Sequence, residues 1–371
     1  YAAEMVRQQV IAKFGLKAYT EGYTAITTID SSTQASAVSA VQSGIRAYDK
    51  RHGYRGAELK NIDPTTWQET LRKTLIIGLL QPAIITSVHD DRLILLKKNG
   101  ESAILNWADG LDSLRLFKTV NARSPLIDSA ASIFETGDLI RIEEHENGRV
   151  TLAQIPLIQS AMVALDPFNG AIRALVGGFD YRQSTFNRAT QATRQPGSNF
   201  KPFIYTTALK NGFTTASIIN DAPVVFEDAK LEDTWRPEND GGKFYGPTRL
   251  REALYRSRNL VSIRLLRRMG VDRTLESLQS FGFNTSNMPS DLSVALGSHA
   301  LKPIDIATGY AMFANDGFRV NSHILDRVID RNGNVIFQAQ PELACDPCKP
   351  ENIRDNQLPQ TSNNLSNRSE E

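Results

Sequence analysis

"SAMVALDPFNGAIRALVGG", residues Ser160–Gly178, decides the fold class. Two apolar runs flank Asp166-Pro167-Phe168-Asn169-Gly170, where proline and glycine stand at the positions a tight connection requires. The stretch reads as a β-hairpin. Both runs are nearly continuous in apolar residues, so burial on both faces is expected. Helical segments follow: Ser198–Asn211 ended by Gly212, Leu250–Tyr255, Leu260–Met269 ended by Gly270, and Pro303–Asn315 ended by Gly317. A hairpin followed by a cluster of helices predicts an α+β fold rather than alternating βαβ units.

Upstream, residues 57–156 read differently. "AIITSVHDDRLILLKKNGESAILNW" holds three short β-type runs joined by Asp-Asp and Asn-Gly turns, and "GDLIRIEEHENGRVTLAQI" adds two more around Asn147-Gly148. Five short strands with tight turns predict a small OB-like barrel or meander, inserted between an N-terminal segment and the hairpin. Such barrels often bind nucleic acid, but Glu143, Glu144 and Glu146 on the last hairpin repel phosphates, which favours protein docking. Residues 1–56 form the lead-in. Amphipathic "EMVRQQVIAKFG" precedes a strand in "YTAITTI", and Asp30 stands as N-cap of an Ala-rich helix running to about Tyr48.

The 371 residues suggest two or three domains. With 42 basic against 41 acidic residues, nothing draws the chain to nucleic acid or acidic lipid. No apolar stretch is long enough to span a bilayer. The best, "LIIGLL" at Leu75–Leu80, is expected to be a core strand or short buried segment ended by Gln81-Pro82. Cys345 and Cys348 in "CDPC" read as a local disulfide or an unremarkable pair, because zinc would need two further ligands. No cofactor or metal is expected. From Lys349 the chain is polar and should not pack.

Chemistry is carried by "TRQPGSNFKPF", Thr193–Phe203. If a helix starts near Ser198, Lys201 lies one turn along with its amine in reach of the hydroxyl. A serine hydroxyl attacks only when a base takes its proton, and a neutral lysine is such a base. Phe200 and Phe203 supply the apolar setting that lowers a lysine pKa. The helix start also places a backbone N–H where an oxyanion could form. The ordinary reading is that Ser198 only caps a helix, since Ser-x-x-Lys is expected about once by chance in a chain this long. Ser257 and Asn259 fall between two helices. They could supply a second hydroxyl as proton relay and an amide for a substrate peptide, or simply cap the helix near Leu260.

The flanking words resolve these alternatives. "FNRATQATRQPGSNFKPFIYTTAL", "GPTRLREALYRSRNLVSIRLL" and "ALGSHALKPIDIATGYAMFANDGF" resemble the transpeptidase domain of bifunctional (class A) penicillin-binding proteins. "TTIDSSTQ", "YDKRHGYRG" and the hairpin look like the same family. The resemblance implies a C-terminally incomplete serine-transpeptidase-like domain over 157–348, a docking insertion over 57–156 and a linker over 1–56, while composition makes 349–371 a mobile tail. It implies that Ser198 is acylated, Lys201 is its base, Ser257 relays a proton and Asn259 holds the donor peptide. The implied reaction is a D,D-transpeptidation that cross-links D-Ala-D-Ala stem peptides, with β-lactams as donor mimics. The insertion resembles the segment that meets outer-membrane lipoprotein activators in Gram-negative bacteria, and the parent protein is expected at the periplasmic side of the inner membrane. "WRPEN", Trp235–Asn239, resembles a segment at the cleft rim, and His299 matches no catalytic position.

One departure stands out. The family's third motif, Lys-Thr-Gly or Lys-Ser-Gly, is absent: "RKTLIIG" and "FKTVNA" hold Lys-Thr without the glycine. The family's glycosyltransferase domain and membrane anchor are absent too, which implies a chain truncated at both ends and puts its turnover in doubt. A carboxypeptidase or β-lactamase of the same active-site type is one alternative. The other is a non-catalytic docking module.

Overall fold

The computed structural model of the chain describes residues 1–223 and 235–344. Along the chain run helix α1 (Ala2–Phe14), the short α2 (Lys17–Thr20), strand β1 (Thr24–Thr27), α3 (Ser31–His52) and α4 (Trp67–Lys73). Strands β2 (Leu80–Val88), β3 (Arg92–Lys97), β4 (Ser102–Asn106), β5 (Arg115–Thr119), β6 (Ala122–Leu126), β7 (Leu139–Glu144) and β8 (Val150–Ala153) follow. The hairpin is β9 (Met162–Leu165) and β10 (Ile172–Val176). Then come α5 (Lys201–Lys210), β11 (Ile218–Asp221), β12 (Gly246–Arg249), α6 (Leu250–Tyr255), α7 (Asn259–Met269), α8 (Val271–Gln279), α9 (Pro303–Ala314), β13 (Leu325–Ile329) and β14 (Val335–Gln338). Among the described residues no helix is long and apolar enough to cross a membrane. Cys345, Cys348 and the polar tail lie outside the described residues.

Two compact units emerge: Tyr1–Gln34 with Met162–Leu175 and Arg188–Glu371, and Ala35–Ala161 with Val176–Asn187. In the second, five antiparallel strands pair in the order β4-β3-β2-β7-β8, and the outer strands β4 and β8 approach one another. The five expected strands and their turns are all present. Alternation sets the core: Leu93 and Leu95 of β3, Ile140 and Ile142 of β7, and Val150 of β8 face a cluster with Ile85, Leu105 and Phe134. Each such side chain contributes about 1.5–3 kcal/mol on burial. A second hairpin, β5–β6, was not foreseen, because its turn at Val120-Asn121 lacks glycine and Phe117 and Leu126 stay exposed.

"LIIGLL" departs from expectation. Ile77 and Leu80 are buried, but Leu75 and Leu79 are exposed, and the chain turns here rather than forming a strand. Nor does Pro82 end anything, since it lies inside β2. The Ile85 N–H donates toward β7, so position 82 faces the opposite side, where pairing with β3 begins only at Ala83. The missing proline N–H therefore breaks no ladder bond.

In the first unit Asp30 caps α3 as expected, its Oδ1 accepting the Thr33 N–H at 2.7 Å. The β9–β10 turn is built by its own side chains. Asp166 Oδ1 accepts the Phe168 N–H at 3.0 Å, and Asn169 Oδ1 accepts the Ala171 N–H at 2.9 Å. A Cβ at Gly170 would lie 2.2 Å from the Asn321 carbonyl oxygen, so only glycine fits. β10 is largely buried, whereas β9 is only partly so. The expectation of two-sided burial fails for β9. Among the described residues it pairs with β10 alone, and α9 packs beside it.

Candidate active site

The helix cluster closes over phenylalanines. Phe200 and Phe203 are fully buried with Leu260, Ile263 and Leu266 of α7, and the Phe203 ring lies 4.8 to 5.3 Å from those of Phe200, Phe281, Phe283 and Tyr310. This aromatic floor anchors a single 3₁₀ turn, Gly197–Phe200, which leads directly into α5. Ser198 stands on that turn, exposed. Its side chain caps neither the turn nor α5, so the ordinary capping role is not the one it plays. Among the described residues its hydroxyl makes no hydrogen bond and no main-chain acceptor takes its N–H.

The turn is held from behind by main chain. The Gly197 N–H donates to the Gly297 carbonyl at 3.1 Å, and Arg194 and Leu301 exchange bonds of 2.9 and 3.0 Å. A Cβ at Gly297 would lie 2.3 Å from the Gly197 oxygen. The "ALGSHA" word thus braces the serine turn through its backbone. His299 completes the brace, its ring centroid 4.3 Å from that of Phe200 in an edge-to-face contact. Burial pushes its imidazole down to about 4, so it is neutral, as suits a packing residue.

Lys201 begins α5 and is 1% exposed. Its Nζ donates to the Ser257 carbonyl at 2.8 Å, approaches Ser257 Oγ at 3.0 Å and donates to Asn259 Oδ1 at 2.7 Å. All three partners are neutral oxygens. Burial alone pushes the amine down to about 8 from its ordinary 10.5. Lys201, Ser257 and Asn259 are therefore brought together. The expected bond from Lys201 to Ser198 is not made. The tight first turn leaves the hydroxyl outward, and the amine is occupied by the Ser257–Asn259 segment.

Ser257 occupies an uncommon backbone position. α6 ends in a Schellman motif, with the Arg258 N–H on the Ala253 carbonyl at 2.8 Å and the Ser257 N–H on the Leu254 carbonyl at 3.0 Å. Ser257 therefore takes φ 53, a left-handed position glycine usually fills. A serine held there is strained, and its carbonyl and hydroxyl both reach Lys201. Asn259 opens α7, yet neither it nor Ser257 supplies the cap through its side chain. Asn239, from the "WRPEN" word, accepts the Asn259 N–H at 2.8 Å and the Leu260 N–H at 3.4 Å. Sequence reading missed this residue, although an asparagine closing a polar loop was a signal for it.

Comparison with known proteins gives the arrangement a family. The penicillin binding protein transpeptidase domain matches residues 160–365, and the penicillin-binding protein OB-like domain matches residues 54–158. Penicillin-binding protein 1A of Pseudomonas aeruginosa is 45% identical over 343 residues, 92% of this chain and 42% of the relative. That of Escherichia coli is 39% identical over 355 residues, 94% of this chain and 42% of the relative. The chain thus spans less than half the length of these curated relatives. The crystal structure of Penicillin-Binding Protein 1A from Haemophilus influenzae superposes with a TM-score of 0.82 at 36% identity, covering 93% of this chain and 50% of that one. An exposed serine on a braced turn and a buried amine tied to Ser257 and Asn259 sit within the matched span, and the chain belongs to the penicillin-binding protein transpeptidase family.

Proposed function

We propose that this chain carries the acyl-transfer chemistry of a peptidoglycan D,D-transpeptidase, with Ser198 as nucleophile, Lys201 as base, Ser257 as proton relay and Asn259 as holder of the donor peptide. The observation that carries the reading is Lys201: buried, without a carboxylate partner among the described residues, and bonded to both Ser257 and Asn259. An amine in that state is neutral often enough near neutral pH to take a serine proton.

In the first half-reaction the Ser198 hydroxyl turns toward Nζ and gives up its proton. Oγ bonds to the carbonyl carbon of the penultimate D-Ala, and the N–H of Ser198 is a donor for the oxyanion. The C–N bond then breaks. Ser257 hands its proton to the leaving amine and recovers one from Lys201, and the terminal D-Ala departs. In the second half an amine of another stem peptide attacks the ester, loses a proton to the base, and Ser198 regains its own. A β-lactam takes the donor's place and leaves a stable acyl group on Ser198.

Residues 57–156 are the docking insertion and 157–348 the transpeptidase domain in this reading. The OB-like match and its acidic last hairpin support a protein partner, an outer-membrane lipoprotein activator, rather than nucleic acid. The parent protein then works at the periplasmic face of the bacterial inner membrane.

Intact-mass detection of a covalent penicillin adduct tests the assignment. The expected result is one adduct per chain, lost in Ser198→Ala. An adduct that persists in that variant overturns it.

A further inference from the structure

Beneath the Ser257–Asn259 segment runs a polar chain that the active-site reading leaves unexplained. Asp221, at the end of β11, is fully buried, and Asn239 is 5% exposed. Asn239 Nδ2 donates to Asp221 Oδ1 at 2.8 Å and Oδ2 at 3.0 Å, and to the Lys243 carbonyl at 2.9 Å. Its Oδ1 takes the N–H groups of Asn259 and Leu260. Asn259 in turn offers Oδ1 to Lys201 at 2.7 Å and donates from Nδ2 to the Glu238 carbonyl at 2.9 Å. A continuous run of hydrogen bonds joins a buried carboxylate to the buried amine.

A helix cap alone does not call for this carboxylate. Burying one is costly, and Arg258, the cation paired with it, stands 3.9 Å away with its guanidinium over the Tyr245 ring. What the carboxylate does supply is direction. It only accepts hydrogen bonds, so the amide of Asn239 must turn its NH₂ toward Asp221 and its oxygen toward α7. The reverse rotamer would set oxygen against oxygen. With the amide fixed, the main chain at Asn259 is fixed, and the side chain of Asn259 has one orientation relative to Lys201.

We propose that Asn239, locked by Asp221, is a positioning residue for acyl transfer: it holds Asn259 so that Oδ1 meets the base while one Nδ2–H stays free for the donor peptide. The proposal rests on the active-site reading above. It predicts slower acylation with the nucleophile and amine themselves intact, because Asn239 touches neither Ser198 nor the amine of Lys201 and acts only through Asn259.

The test uses the intact protein and a fluorescent penicillin, following the exponential approach to full labelling at a temperature where thermal unfolding shows each variant folded. Asn239→Ala removes the lock, and Asn239→Asp sets two carboxylates against each other. Each should slow acylation about tenfold or more. Adding Asp221→Asn to Asn239→Asp restores a donor–carboxylate pair in the reverse sense, and the remaining carboxylate oxygen at 239 can still take the N–H groups of α7. Most of the rate should return. Asn239→Ala should also move the acid limb of the pH–rate profile to lower pH, since the ammonium form of Lys201 loses an acceptor it depended on. A residue that only capped α7 would lower the melting temperature and leave both rate constant and acid limb in place. Rates within twofold of the wild type, with the acid limb unmoved, overturn the proposal. If Ser198→Ala abolishes labelling in that same experiment, the active-site reading survives alone. If Ser198→Ala still labels, the reading fails and takes the positioning role with it.

Discussion

Arg141 in the β-rich unit and Lys201 in the helical unit are both almost wholly buried, 4% and 1% exposed, and their surroundings are opposite. Arg141 meets Glu58 through a two-pronged pair at 2.8 and 2.9 Å and donates to the Leu75 carbonyl at 2.5 Å. Lys201 meets three neutral oxygens. The first cation is neutralised where it stands and serves to tie a loop to a sheet. The second is denied a countercharge, so burial acts on it unopposed and lowers its pKa to about 8, as the proposed base requires. A buried charge that is paired reads as architecture, and one that is left unpaired reads as chemistry.

Exchanging the two cations for neutral side chains should separate the two roles. Lys201→Met should slow penicillin acylation about a hundredfold to ten-thousandfold, the range for loss of a general base, while melting temperature holds or rises. Stopped labelling and thermal unfolding read both. Arg141→Met should do the reverse. It strands the Glu58 carboxylate and frees the Leu75 carbonyl, costing about 2–3 kcal/mol in denaturant titration without changing the labelling rate. A labelling defect in Arg141→Met, or a folding defect in Lys201→Met, breaks the contrast.

Acidity sharpens it further. The amine must be neutral to act, so below its pKa of about 8 acylation should fall about tenfold per pH unit. A flat profile from pH 6 to 8 contradicts a lysine base. Stability runs with the same sign. The folded amine has the lower pKa, so the unfolded chain binds the extra proton between about 8 and 10.5, and stability should rise across that window. Lys201→Met should flatten that slope. The smallest expected effect on stability belongs to Ser257→Gly, which relieves the left-handed strain and should gain about 1 kcal/mol while slowing acylation through loss of the proposed proton relay. Strain kept at the cost of stability is the mark of a working position.

Much of this was legible in the residues. The five strands, their turns at Asp90-Asp91, Asn99-Gly100 and Asn147-Gly148, the Asp30 cap and the glycine-terminated helices are local signals, and each appears where periodicity and turn chemistry put it. The misses share a cause. "LIIGLL" was judged by its apolar content, yet which of its residues are buried depends on where β7 pairs with the following strand. Lys201 was expected to face Ser198 because they are three residues apart, but its partners come from 56 and 58 residues away and together offer three acceptors. Asn239 escaped for the same reason, since its significance lies in Asp221 and Asn259, neither near it in sequence. Spacing along a helix can be read from a line of letters. Competition among distant partners for one buried group cannot.

The contact between Gly197 and Gly297 has a bearing on how such a protein can change. The serine turn and its brace are joined by peptide groups, which every amino acid has in common. Side chains such as Gln195 and Ala300 can therefore be replaced without altering the hydrogen bonds that set the turn, and the cleft wall is open to variation in shape and polarity. Only Gly297 is held to one identity, because a Cβ there would meet the Gly197 carbonyl oxygen at 2.3 Å. The walls around Ser198 thus have room to be remodelled while the turn that carries the serine stays in place.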